Sequence, residues 1–218
     1  MKSNYTIRQC QKKEITLILD RFHYLSKNEV KPFGLFQDEG LVHHSFNFKS
    51  GFNVALFHND EPVGACIFTG FPVPELSYGC FGLNRDDQDG LWELSRFVLA
   101  PEHQQGEHNL ATWFMARAIK QLKQCEPTRA VLSYADGDHH TGVIYAASNF
   151  TYYGFADEKK DFWIKQGDGE FKKHSRGKVK GLEGEWRPRS RKHRFLMVFD
   201  KSLICKWKSI KWRKQNDE

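Results

Sequence analysis

A chain of 218 residues with 39% apolar side chains and a net charge of +6 is long enough to bury one α/β core and carry a modest extension. No apolar run approaches the roughly 18 residues of a membrane span, and the start MKSNYTIRQ is polar, without the apolar centre of a signal peptide. Five scattered cysteines (Cys10, Cys66, Cys80, Cys125, Cys205), odd in number and never spaced CxxC, argue against a disulfide framework or a cysteine-rich zinc site and fit a reducing cytoplasm. The charge is uneven. Residues 170–218 hold 16 Lys+Arg against 6 Asp+Glu, whereas the remainder holds 17 against 21. A basic segment on an acidic-to-neutral body is expected of a protein that grips phosphates with one region, and it is equally what a solvated face looks like. Trp186, Phe195, Trp207 and Trp212 interleave with the cations and favour nucleic acid, since aromatic planes and cations together suit bases and phosphates.

In chain order, Tyr5 to Cys10 alternates as a first strand. Glu14 to Tyr24 carries Ile15, Ile18, Leu19 and Phe22 at helical spacing, so an amphipathic helix ends at His23-Tyr24. Residues 25–51 lack a sustained period and are expected to be loop, with at most one short helix. Asn53 to His58 and Pro62 to Phe71 form a hairpin of two largely buried strands around Asn59-Asp60-Glu61. Pro72 to Gly90 is a long turn-rich loop of the kind that carries function or moves. Leu91 to Ala100 is a strand ended by Pro101, followed by the polar loop EHQQGEHN. Asn109 can cap the next helix, in which Leu110, Phe114, Ala118 and Leu122 recur every four residues. Arg129 to Ala135 is a strand and Gly142 to Phe150 a short helix. Thr151–Phe155 and Asp161–Lys165 are expected as a terminal pair of strands, and Gly167–Arg191 as a basic loop before a last strand, Arg194–Phe199.

Several residues in this frame can do chemistry. A loop leading into a helix N-terminus offers backbone N–H groups and a positive dipole end to an anion. The loop Gln104-Gln105-Gly106-Glu107-His108-Asn109 lacks both P-loop and GxGxxG spacing, and Glu107 adds a charge of the wrong sign for a phosphate. Alternation puts Ser133 and Ala135 on one face of their strand and Tyr134 and Asp136 on the other. Asp136 is placed to orient a base or accept a proton, or else to close an Asx turn onto Gly137-Asp138. Tyr145 is either a proton donor with an ordinary pKa near 10 or a packed core tyrosine. His23 suits the negative end of its helix whether or not it reacts. His139-His140 beside Asp136 provides two imidazoles and a carboxylate, a set that non-haem iron uses, although adjacent histidines seldom hold one ion and solvated loop histidines are the simpler reading.

Trp92-Glu93-Leu94-Ser95-Arg96, Ser133-Tyr134-Ala135-Asp136, Ile144-Tyr145 with Tyr152-Tyr153-Gly154, and the pair His23-Tyr24 together resemble the Mom-type DNA modification proteins of phage Mu and its relatives. These are distant members of the GCN5-related N-acetyltransferase (GNAT) superfamily. The resemblance implies an α/β (α+β) mixed sheet whose two central strands, here Leu91–Ala100 and Arg129–Ala135, splay to admit an acyl-CoA arm. It implies an acetyltransferase-like core over residues 1–166 and a basic C-terminal segment, 167–218, that adds the last strand. The activity implied is conversion of adenine in double-stranded DNA to N6-(carbamoylmethyl)adenine, which shields DNA from restriction nucleases. His23, Tyr24, Ser133, Asp136 and Tyr145 become the expected catalytic set. Ser95, Phe97, Gln105, Gly106 and Asn109 become the cofactor-binding set, with acetyl-CoA as the implied cofactor and iron as a second option through His139 and His140. Arg187, Arg189, Arg191, Lys192 and His193 are the expected DNA contacts, with no membrane partner and with the oligomeric state, a dimer included, left open. An N-acetyltransferase acting on a protein or small-molecule amine and a non-catalytic DNA-binding regulator are the competing expectations. The family's product joins nitrogen through a methylene, a bond that plain acetyl transfer does not make.

Overall fold

The computed structural model describes residues 2–23, 49, 51–174 and 178–213. Tyr24 and nearly all of the stretch expected to be loop after it lie outside the described residues. After a 3-10 turn at Lys2–Asn4, the strands are β1 (Tyr5–Gln9), β2 (Phe52–His58), β3 (Glu61–Gly70), β4 (Leu91–Leu99), β5 (Ala130–Asp136), β6 (Thr151–Phe155), β7 (Lys160–Lys165), β8 (Phe171–Lys173), β9 (Gly184–Pro188) and β10 (Lys192–Val198). The helices are α1 (Lys12–Phe22), α2 (Glu75–Phe81), α3 (Pro101–Gly106), α4 (Leu110–Cys125) and α5 (Val143–Ala147). Seven strands form one mixed sheet in the order β1-β2-β3-β4-β5-β10-β6, and β8-β7-β9 form a separate small sheet. Neighbours in the large sheet are antiparallel except β4 and β5, which run parallel.

Both faces of the large sheet are covered, so β2 and β3 bury residues on both sides. On one face α4 lays Leu110, Phe114, Met115, Ala118 and Leu122 over Val54, Cys66, Phe68, Leu94 and Val131. On the other, α1 packs Ile15, Ile18 and Leu19 against Ala55, Ala65, Ile67 and Val98. Further along that second face, Cys80 and Phe81 of α2 join Leu91, Leu132, Leu196 and Leu203. The start of α1 is fixed by Glu14, whose carboxylate accepts the Gln11 N–H at 3.0 Å.

Four local expectations are corrected. The loop 72–90 contains α2, because Pro74 starts a turn whose apolar residues Cys80 and Phe81 are buried, and Gly82 ends it at φ 74°. The polar loop after β4 is largely α3, with Pro101 preset in the first helical position. Asn109 does not cap α4 through its side chain; it turns the chain in the left-handed region at φ 56°. Finally, β6 and β7 are not partners. The last strand, β10, enters between β5 and β6, and β7 instead pairs with β8 and β9, which arise within the segment expected to be loop. The small sheet thus spans the 166/167 boundary.

Beyond β10 the chain runs as a strap around the exposed edge of β6. Lys206 N–H donates to Cys80 O at 2.7 Å, bringing the Cys80 and Cys205 sulfurs to 3.8 Å, and Ile210 N–H donates to Tyr152 O at 2.9 Å. Trp207 meets Tyr153 on one side of the sheet, and Trp212 packs on the core of the other. A sheet edge left bare is a template for unwanted pairing, and the strap covers this one.

Candidate active site at the splay of two parallel strands

The parallel ladder between β4 and β5 is short. It pairs Leu91–Leu94 with Ala130–Ser133 and stops, although β4 continues to Leu99 and β5 to Asp136. The cause lies on the far side of β4. Its register with β3 passes from Phe68↔Leu94 to Ile67↔Arg96, leaving Ser95 as the extra residue of a bulge that turns β4 away from β5. Each serine at the branch satisfies a backbone carbonyl: Ser133 Oγ donates to Leu94 O at 3.0 Å, and Ser95 Oγ donates to Ile67 O at 3.1 Å. Ser133, fully buried, therefore holds the apex of the V together. Phe97 packs against Phe114 on the α4 side of the sheet.

On the α1 side the mouth of the V is polar. Alternation along β4 and β5 directs Glu93, Arg96, Tyr134 and Asp136 to this face, between the two apolar clusters. His23, at the end of α1, is 93% buried, and its pKa falls to about 3, first through burial and then through the charges of Arg96 and His140. It is a neutral imidazole throughout the physiological range. Glu93 is half-buried, and burial raises its pKa against the opposing pull of Arg96, Lys192 and Lys49. Burial, together with the charge of Glu93, also pushes the Tyr134 hydroxyl up. Arg96 Nη1 donates to Ser95 O at 2.6 Å, tying the guanidinium to the bulge.

The other expected catalytic residues are placed differently. Asp136 closes a turn: Oδ1 accepts the Asp138 N–H at 3.2 Å and the Ser190 hydroxyl. Burial opposes ionisation there, but these two donors with Lys192 and His139 hold its pKa below the usual carboxylate value. Tyr145 is buried among Phe150 and Phe195 in the α4-side core, at ring separations of 5.7 and 5.2 Å. His139 and His140 are exposed after β5, with ring centroids 6.4 Å apart. Among the described residues no three His, Cys, Asp or Glu side chains converge as a ligand set, so the iron option has no donor set there. Gln105 and Gly106 belong to α3, and Asn109 to the turn before α4. There the Lys2 ammonium donates to Asn109 O at 3.2 Å and supplies positive charge that the loop itself lacks.

Of the expected DNA contacts, Arg189 forks onto Asp161 with Nε 3.0 Å from both carboxylate oxygens. Arg187 lies between the Trp163 and Phe171 rings, and Arg191 over Phe155. His193 is buried, bonded through Nδ1 to Tyr152 Oη at 2.8 Å. Lys192 alone faces the mouth, opposite Asp136 in the β10–β5 register. Glu93 and Ser190 were missed as site residues. A carboxylate at an inward position of an otherwise apolar strand was the available signal for the first. Ser190 left none.

A parallel pair that splays after a bulge, inside a seven-stranded mixed sheet, is the GNAT fold. Among solved structures, Arabidopsis thaliana NAA60 in complex with acetyl-CoA superimposes with a TM-score of 0.50 at 10% identity, covering 89% of this chain and 99% of that one. The ribosomal-protein-S18-alanine N-acetyltransferase from Escherichia coli gives 0.48 at 12% identity, covering 90% and 94%. No curated protein matches the chain. The sequence model of the Mom protein family matches residues 4–215, and the chain belongs to that family.

Proposed function

We propose that this chain is a transferase that modifies adenine in double-stranded DNA at the exocyclic N6 and so protects the DNA from restriction nucleases. The observation that supports it best is the polar mouth of Glu93, Arg96 and His23 where β4 and β5 part, in a member of the Mom family. The target amine sits at a paired base edge, so the adenine must leave the stack to reach this mouth. Its lone pair is delocalised into the ring, so it becomes nucleophilic only as a proton leaves. Glu93 is the residue to accept that proton. Burial raises its basicity, and the charges of Arg96 and Lys192 pull the other way. His23, held neutral, presents a hydrogen-bonding imidazole without adding charge.

The V suits an extended acyl-CoA arm, since the bulge at Ser95 opens it and Ser133 seals its apex. Phe97 would flank that arm. Gln105, Gly106, Asn109 and Lys2 would stand at its phosphates. A bound acyl-CoA would supply an activated acyl carbon; a carbamoylmethyl product requires in addition a donor or step that forms a carbon–nitrogen bond to a methylene.

The test is nucleoside mass spectrometry of plasmid DNA from cells with and without the expressed chain. A new adenosine-derived mass is expected. Normal masses throughout, with soluble protein in the cells, refute the proposal, and acetylation of a protein or polyamine in the same cells would assign the V to an ordinary N-acetyltransferase.

A further inference from the structure

A second cavity lies on the opposite face of the sheet from the polar mouth, where the C-terminal strap crosses β6. Its volume is about 390 Å³, inside the range of small-ligand pockets. Tyr152 and Trp212 provide aromatic walls, His193 a buried polar group, Thr141 a hydroxyl and carbonyl, and Lys211 and Arg213 two exposed cations at the rim. Among the described residues that line it, none is acidic. Arg191 and Arg194 lie within electrostatic reach of the Tyr152 hydroxyl, so the surrounding field is positive as well.

The walls are fixed in place. Trp212 Nε1–H donates to Thr141 O at 3.2 Å, and Ile210 N–H donates to Tyr152 O, which together lock the strap against the edge strand. His193 is stacked at 4.2 Å on Phe155, which is covered in turn by the Arg191 guanidinium. Burial and Arg191 keep the imidazole neutral. His193 Nδ1 and the Tyr152 hydroxyl share a hydrogen bond at 2.8 Å, in which the imidazole tautomer decides which of the two donates. Thr141 follows His140 directly, so one short loop separates this cavity from the mouth of the V.

Aromatic planes, one imidazole and two exposed cations, with no carboxylate among the described lining residues, form a receptor for a planar base carrying phosphate. We propose that this cavity is a nucleotide subsite, with the base against Tyr152 and Trp212 and the phosphate at Lys211 and Arg213. The chemistry has two sources: a DNA nucleotide beside the target, which rests on the function proposed above, or the phosphorylated adenosine of a CoA-type cofactor.

The experiment uses the full chain and three probes: a short single-stranded oligonucleotide carrying 5-iododeoxyuridine, CoA, and adenosine 3′,5′-bisphosphate. Ultraviolet crosslinking followed by peptide mapping should place the DNA crosslink on Tyr152 or Trp212. The paired substitution Lys211→Glu and Arg213→Glu, both on exposed side chains, should lower affinity for the bound probe about tenfold, as should Trp212→Ala, the scale of one lost base stack. Trp212→Phe, which keeps a ring, should retain most of it. Protection of Tyr152 and Trp212 by CoA or the bisphosphate but not by DNA supports the subsite and assigns it to the cofactor. Crosslinks confined to other peptides, with the charge-reversed chain binding all three probes normally, overturn it. If that chain also modifies plasmid DNA at the normal rate, the subsite fails while the modification function stands.

Discussion

Replacing His23 by Gln should remove a large part of the protein's sensitivity to mild acid. An exposed histidine in the unfolded chain titrates near 6.5, whereas His23 in the folded protein titrates at about 3. Between those values the unfolded state binds a proton that the native state refuses, so stability falls as pH falls through this window. At pH 7 the penalty is about 0.2 kcal/mol, and at pH 5 about 2 kcal/mol, from the standard linkage relation with those two pKa values. Urea unfolding at both pH values, in wild type and His23→Gln, isolates the effect, because any constant cost of the substitution cancels within each variant. The wild type should lose about 2 kcal/mol more than the variant, or roughly 1 M in midpoint at a urea slope of about 2 kcal/mol/M. Parallel losses in the two proteins would refute the reasoning, as would a His23 Cε1–H resonance titrating near 6.

Glu93→Gln should reduce base modification by at least about 100-fold, the scale of a lost general base, with DNA affinity unchanged; activity within about threefold of wild type would remove Glu93 from the mechanism. In the wild type the rate should rise with pH as Glu93 loses its proton, with a midpoint above the ordinary 4.5. Phe114→Ala deletes a fully buried ring at the centre of the α4-side core and should cost about 3–5 kcal/mol, lowering the melting temperature by roughly 10 °C, measured by calorimetry. Cys205, partly exposed and with its thiol pKa lowered by the neighbouring Cys80 thiol and the Trp207 N–H, should alkylate at pH 7 faster than exposed Cys125. Buried Cys10, Cys66 and Cys80 should stay unlabelled in the folded protein, and peptide mass mapping after brief iodoacetamide treatment reads the order directly.

The elements most readable from sequence were those whose period is enforced by a core on a known side. The helical stripe Leu110, Phe114, Ala118 and Leu122 and the buried hairpin of β2 and β3 appear within a residue or two of their expected bounds. Long-range pairing was not readable in the same way. Nothing local in Lys192–Val198 states that it will enter between β5 and β6, or that Lys160–Lys165 will leave the main sheet to pair with β8 and β9. The branch of the V was half visible. WELSR could be recognised, but the bulge that makes Ser95 the extra residue depends on the register with Ile67 and Phe68 of β3, roughly 95 Å of chain away when extended.

The same distinction separates the candidate residues. Ser133 and Asp136 lie where the strand pattern put them, yet their hydrogen bonds are to Leu94 O, Asp138 N–H and Ser190, so each shapes the mouth through backbone and turn. The groups whose protonation is displaced, His23 and Glu93, owe that displacement to burial beneath elements brought from distant parts of the chain. Charge counting has a related weakness. In the basic C-terminal segment Arg187, Arg189 and Arg191 are matched by Glu185, Asp161 and Glu158, and two of them are spread over aromatic rings. A guanidinium already paired must break that pairing to meet a phosphate, whereas Lys211 and Arg213 stand exposed at the rim of an aromatic cavity. The cations that the fold leaves at the surface, more than those the sequence merely contains, mark where an anionic partner is met at least cost.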